Sequence, residues 1–138
     1  MERAQCIARW PGAGDPRHDT YGHVFGDQVL RVVAQVLGAN VKGQDTAARI
    51  GGEEFAILLP ATPLAGAQVL AGRIRATIAA SSIRRQGKHE VIERVTASFG
   101  VAHLKPGESA VALVERADAA LYAAKAAGRN RVTVSAAP

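Results

Sequence analysis

The sharpest chemical signal in the chain is the run Gly51-Gly52-Glu53-Glu54. Two glycines let a backbone approach a ligand closely, and adjacent glutamates offer hard oxygen ligands suited to magnesium. Such a turn would suit a metal-bound triphosphate, although a solvent-exposed hairpin tip carrying charges for solubility has the same residues. Lys125 and Arg129 lie one helical turn apart near the end of a helical stripe, so both are able to aim positive charge at phosphate oxygens. Cations near a helix C-terminus also stabilise the macrodipole by about 0.3 to 1 kcal/mol, which accounts for the pair without a ligand. A third cluster, Asp19-Thr20-Tyr21-Gly22-His23 followed by Gly26-Asp27, sets polar groups around a helix start. Free N–H groups there hold anions, and Asp27 would accept hydrogen bonds from a base edge; plain capping and turn residues have the same appearance.

These residues need elements to position them. Residues 4–10 are compatible with a short, weakly specified strand, which Pro11-Gly12-Ala13-Gly14-Asp15-Pro16 ends. Val29, Leu30, Val33, Val36 and Leu37 have the spacing of one buried helical stripe, predicting a helix over residues 25–40. Residues 46–50 and 55–59 flank the Gly-Gly-Glu-Glu run and read as two antiparallel strands with the carboxylates at their tip. Pro60 stops the second strand, and Thr62-Pro63 reads as an N-cap and a first-turn proline opening a helix over residues 64–80. Val95, Ala97, Phe99 and Val101 alternate with more polar neighbours, the period of a strand, with residues 89–92 as its hairpin partner. Ser109 is placed to cap a helix whose stripe is Leu113, Ala117, Ala120, Leu121 and Ala124, ending before Gly128, and residues 131–135 form a closing strand. The expected fold is an α/β (α+β) domain, a mostly antiparallel sheet flanked by helices, with an atypical first strand.

Length and composition bound the remaining choices. A chain of 138 residues is sized for one core, and 48% hydrophobic residues with 21% charged residues describe a folded globular domain. No apolar run approaches the roughly 18 residues needed to cross a bilayer, so no membrane is expected. The lone Cys6 cannot form an internal disulfide, and a cytoplasmic setting is expected. The net charge of +5 invites nucleic acid, but the arginines are scattered and lack the interleaved aromatics of single-strand binders, so no nucleic-acid partner is expected.

Taken together, Asp19-Thr20-Tyr21-Gly22-His23, Gly26-Asp27-Gln28-Val29-Leu30-Arg31, Arg49-Ile50-Gly51-Gly52-Glu53-Glu54-Phe55, Thr96-Ala97-Ser98-Phe99-Gly100-Val101, the stretch from Ala117 to Lys125, and Gly128-Arg129-Asn130-Arg131 resemble the GGDEF domain in its GGEEF form. The resemblance implies a diguanylate cyclase fold over residues 19–138, with residues 1–18 an atypical segment in place of the family's first strand. It implies condensation of two GTP into cyclic di-GMP by a homodimer, each copy holding one GTP with Mg2+. On that pattern Glu53 is the catalytic and metal-ligating carboxylate, Gly51 and Gly52 lie against the substrate, Asp27 reads guanine, and Lys125 and Arg129 hold phosphates. Family members usually sit behind sensory or receiver modules.

The resemblance also implies an Asp-x-Asp strand, a lysine and an asparagine upstream, and in register those positions fall on Trp10, Asp15 and His18. An indole does not ligate magnesium, and an aspartate adds negative charge where a triphosphate needs positive charge. Low or absent turnover is therefore expected, or a module that binds GTP or cyclic di-GMP or dimerises without turnover. The family's product-inhibition Arg-x-x-Asp reads Lys42-Gly43-Gln44-Asp45 here, with Arg73 as a secondary contact. Lysine keeps the charge but lacks the planar fork, so feedback binding should be weak.

Overall fold

The computed structural model describes the main chain of residues 4–9, 22–50, 54–85 and 91–135, and the side chains from residue 28 onward outside 51–53, 82–94 and 136–138. In chain order the elements are β1 (Ala4–Arg9), α1 (Gly22–Asn40), β2 (Thr46–Arg49), β3 (Glu54–Leu59), α2 (Leu64–Ala80), β4 (Ser82–Arg85), β5 (Val91–Arg94), β6 (Ser98–His103), α3 (Ala110–Ala126) and β7 (Val132–Val134). Five strands form one sheet in the order β2-β3-β1-β6-β7, and β4 pairs with β5 in a separate two-stranded sheet. All pairings are antiparallel except β6 with β7.

Period-two alternation divides the two faces of the sheet. Phe55, Ile57 and Leu59 of β3 and Phe99 and Val101 of β6 are buried in one cluster with Val29, Val33, Val36 and Leu37 of α1 and Ala67, Ala71, Ile74 and Ile78 of α2. The buried residues of α1 follow the stripe that the sequence spacing predicts, with Leu30 only partly buried, and the two helices cover this face. On the other face Ala102 packs with Leu113, Ala117 and Leu121 of α3. β6 is therefore covered on both sides, and its first five residues are all buried.

α3 approaches β6 closely because residue 100 has no side chain. A Cβ built on Gly100 would run into the carbonyl oxygen of Ala117 and the amide nitrogen of Leu121, both helix backbone. Ser109 caps this helix, its hydroxyl accepting from the Ala112 N–H at 3.1 Å, as its sequence position predicts.

The structure corrects several boundaries. α1 starts three residues before the predicted helix. Pro63, rather than Thr62, occupies the N-cap of α2 and makes no side-chain cap bond. The Thr62 N–H instead donates to the Leu59 carbonyl at 3.3 Å, closing the turn after β3. The expected partner of the strand around Phe99 does not pair with it: β5 pairs with β4, whose Ser-Ile-Arg-Arg sequence has no alternation to announce a strand. The antiparallel partner of β6 is β1, which lies between β3 and β6 at the centre of the main sheet. The expected short strand over residues 4–10 thus exists as Ala4–Arg9, with residue 10 outside the described residues, at the central place in the sheet.

Candidate functional site

Strand direction decides where the chemistry-bearing segments meet. β1 runs antiparallel to both neighbours, so its last residue, Arg9, stands opposite the first residue of β3, Glu54, and the first residue of β6, Ser98. β7 runs parallel to β6, with Val132 opposite Phe99, so the loop leading out of α3 also arrives at this end. One end of the sheet therefore gathers the base of the glycine turn, the exit of β1, the entry of β6 and the loop after α3. With strands spaced by about 4.8 Å, Glu54 and Ser98 lie roughly 10 Å apart across β1.

The glycine turn is held at its base, where the Ile50 N–H donates to the Glu54 carbonyl at 2.9 Å. Gly51, Gly52 and Glu53 themselves lie outside the described residues, as do Asp15, His18 and Trp10. Asp27 sits in the second turn of α1, and its side chain is outside the description.

Lys125 occupies the last turn of α3 and is half-buried, and the exposed Arg129 follows in the loop to β7. The chain leaves the helix through three successive positive φ angles, 123° at Gly128, 65° at Arg129 and 48° at Asn130. The loop is tied by main-chain bonds from Gly128 to the Lys125 carbonyl at 3.3 Å and from Arg129 to the Ala124 carbonyl at 3.0 Å. It is also tied to the sheet: the Asn130 N–H donates to the Ser98 hydroxyl at 3.1 Å, and the Phe99 N–H donates to the Arg131 carbonyl at 2.9 Å. Lys125 and Arg129 thus lie at the end of the sheet where Ile50 and Glu54 form the base of the Gly-Gly-Glu-Glu turn. Ser98 and Asn130 fall inside two of the motifs that carry the resemblance, but the bond between them joins segments 32 positions apart, which no local spacing announces.

The feedback-site candidates sit elsewhere. Lys42 and Asp45 bracket a turn closed by a 3.1 Å bond from the Asp45 N–H to the Lys42 carbonyl, with Gly43 at φ 64°. That turn enters β2, whose first residue Thr46 pairs with Leu58, so it lies at the opposite end of the sheet from the glycine turn. Arg73 is exposed on α2, and its carbonyl accepts from the Thr77 hydroxyl at 2.9 Å.

Residues 17–131 match the family described as diguanylate cyclase, GGDEF domain. The chain belongs to this family. Relatives of this GGDEF domain include Diguanylate cyclase A of Treponema denticola, 47% identical over 119 residues, which are 86% of this chain and 31% of that protein. The response regulator PleD of Caulobacter vibrioides is 44% identical over 121 residues, 87% of this chain and 26% of that protein. The chain thus spans about a third or less of these curated relatives. Among solved structures, the GGDEF domain of DgcB from Caulobacter crescentus in complex with c-di-GMP superposes with a TM-score of 0.89 at 38% identity, covering 97% of this chain and 78% of that one. The active GGEEF domain of a diguanylate cyclase from Vibrio cholerae gives 0.86 at 29% identity, covering 100% of this chain and 85% of that one. The expected fold and family are both borne out.

A magnesium centre built from two facing carboxylates needs a second carboxylate beside Glu53, and the resemblance places that position on Trp10. The end of β1 opposite the base of the glycine turn is Arg9, followed in sequence by Trp10, and neither side chain carries an oxygen donor. Among the described residues no group of three His, Cys, Asp or Glu side chains could hold a metal ion.

Proposed function

We propose that this GGDEF domain is of the diguanylate cyclase type, built to condense two GTP into cyclic di-GMP across two facing copies of the chain, and that in this chain nucleotide binding outlasts turnover. The observation that carries the reading is the common sheet end: Glu54, next to Glu53, and Ser98, which holds the loop bearing Arg129, stand on either side of Arg9 at the same end of the sheet. In this reading Gly51 and Gly52 let the main chain approach the phosphates, Lys125 and Arg129 neutralise them, and Asp27 accepts from the guanine edge. Glu53 is left as the one family carboxylate for Mg2+ and for activating the attacking hydroxyl.

Turnover is assigned as low because an in-line displacement needs charge on the reacting phosphate neutralised in a fixed geometry. Arg9 and Trp10 replace the strand end that would share the metal. The setting proposed is the cytoplasm, where GTP is available; no helix among the described residues is long and apolar enough to cross a membrane.

The test is incubation with GTP and Mg2+ followed by chromatography of the products, beside calorimetric titration with GTP and cyclic di-GMP. Binding with little product is the expected result. Cyclic di-GMP formed as fast as by an active relative would overturn the assigned impairment, and absence of heat with either nucleotide would overturn nucleotide binding.

A further inference from the structure

Arg129 and Asn130 adopt left-handed backbone conformations, at φ 65° and 48°, directly after Gly128. Glycine takes such angles freely and asparagine with some ease, but arginine does so only where its surroundings hold it there. The surroundings that hold it are specific. The Asn130 N–H donates to the Ser98 hydroxyl at 3.1 Å, and Ser98 is the one buried polar residue among those described. The other end of the same asparagine is also fixed: its Oδ1 accepts from Arg75 Nη1 at 2.9 Å, across 55 positions of sequence. Arg129 itself is bounded by the bond from its N–H to the Ala124 carbonyl at 3.0 Å and by Arg131 Nε donating to its carbonyl at 3.1 Å. Its backbone is thus anchored on both sides while the residue remains exposed.

We propose that Arg75, Ser98 and Asn130 form a clamp that positions Arg129 for the phosphates of a guanine nucleotide, Arg75 and Asn130 acting as positioning residues that do not themselves touch the ligand. The inference rests on the nucleotide reading of this end of the sheet. Its physical content is preorganisation: a guanidinium on a mobile loop must be ordered when it binds, whereas one on a clamped loop has lost that freedom at folding. The clamp joins the helix layers on opposite faces of the sheet, because Arg75 belongs to α2 and Asn130 to the loop leaving α3. Asparagine suits the position twice, tolerating the left-handed backbone and offering an amide oxygen to a guanidinium.

Two measurements separate failure of the clamp from failure of the nucleotide reading. The first is amide hydrogen exchange at Asn130 without nucleotide, in the parent chain and in Arg75→Ala. Faster exchange in the variant is expected; an unchanged rate overturns the clamp regardless of what the chain binds. The second is titration with GTP and with guanosine, which lacks the phosphates. Arg75→Ala and Asn130→Gly should each weaken GTP about tenfold and leave guanosine and the melting temperature unchanged. Arg75→Lys should recover most of the loss, since an ammonium also donates to Asn130 Oδ1. Equal GTP affinity in the parent and Arg75→Ala, or a parallel loss of guanosine, overturns the positioning role. A parent chain that does not bind GTP overturns the nucleotide reading.

Discussion

Arg116 grips Glu108 with two hydrogen bonds, Nε to Oε2 at 2.7 Å and Nη2 to Oε1 at 2.6 Å, the fork geometry that arginine makes with a carboxylate. The same guanidinium donates to the His103 carbonyl and, at 3.3 Å, to the Ser135 hydroxyl. One side chain of α3 therefore fastens the turn before the helix, the end of β6 and the residue just after β7. The Arg116 hydrogen bonds hold the Glu108 carboxyl down to about 2 from an ordinary 4.5, outweighing the opposing effect of desolvation. The folded value lies below the unfolded one, so the stabilisation is full above about pH 4.5 and is lost as pH falls toward 2. Glu108→Gln should lower the melting temperature at pH 7 and flatten the acid limb of stability between those two values. Thermal melts of parent and variant across that range check both effects, and parallel acid limbs would count against the pair.

Gly100 and Gly72 should respond oppositely to alanine. A methyl group at Gly100 meets the backbone of α3, which cannot move aside without lifting the helix from β6. Gly100→Ala is expected to destabilise by about 1–3 kcal/mol, the usual range for overpacking a well-filled core. Gly72 lies inside α2 with open space where its Cβ would stand. Gly72→Ala should stabilise by about 0.5–1 kcal/mol through helix propensity and reduced freedom of the unfolded chain. Urea denaturation of the two variants measures both signs.

The same residues show how far sequence reasoning reached. Stripes such as Val29, Val33, Val36 and Leu37, and alternation such as Phe99 and Val101, arise because burial repeats at the period of the element, so both helix faces and the β6 strand could be read locally. The central place of β1 could not, since strand order depends on pairings between residues such as Ile7, Ala56 and Gly100 that are far apart in the chain. β4 escaped for a different reason: Ser82–Arg85 is short and basic and pairs only with β5. At the site, Lys125 and Arg129 announce themselves by charge and spacing, whereas Asn130 gains its role from Arg75 and Ser98, which no spacing rule connects to it.

Feedback binding offers a gain-of-affinity test. Lys42 and Asp45 bracket an exposed turn whose main chain is already closed, so a longer planar side chain at residue 42 has room to act without rearranging the backbone. An ammonium contacts a phosphate or a guanine edge as a point charge, whereas a guanidinium engages both through its fork. Lys42→Arg should therefore tighten cyclic di-GMP binding about tenfold by calorimetry, with GTP binding unchanged. An equal affinity for cyclic di-GMP in parent and variant would remove this turn from the list of ligand sites.

Magnesium dependence follows from the residues at the exit of β1. Where two carboxylates share a metal, removing it leaves like charges facing each other and a triphosphate, and nucleotide affinity collapses. Here the strand exit opposite Glu54 is Arg9, with Trp10 next in sequence, so the position where the resemblance implies a second metal carboxylate carries an indole instead. GTP affinities measured with Mg2+ and with EDTA should agree within about threefold for the parent chain. Trp10→Asp supplies the second carboxylate that the resemblance implies and should lower affinity in EDTA while sparing it in Mg2+, opening a gap between the two titrations. A large Mg2+ effect on the parent, unaltered by Trp10→Asp, would mean that the nucleotide's metal finds its protein ligands without the exit of β1.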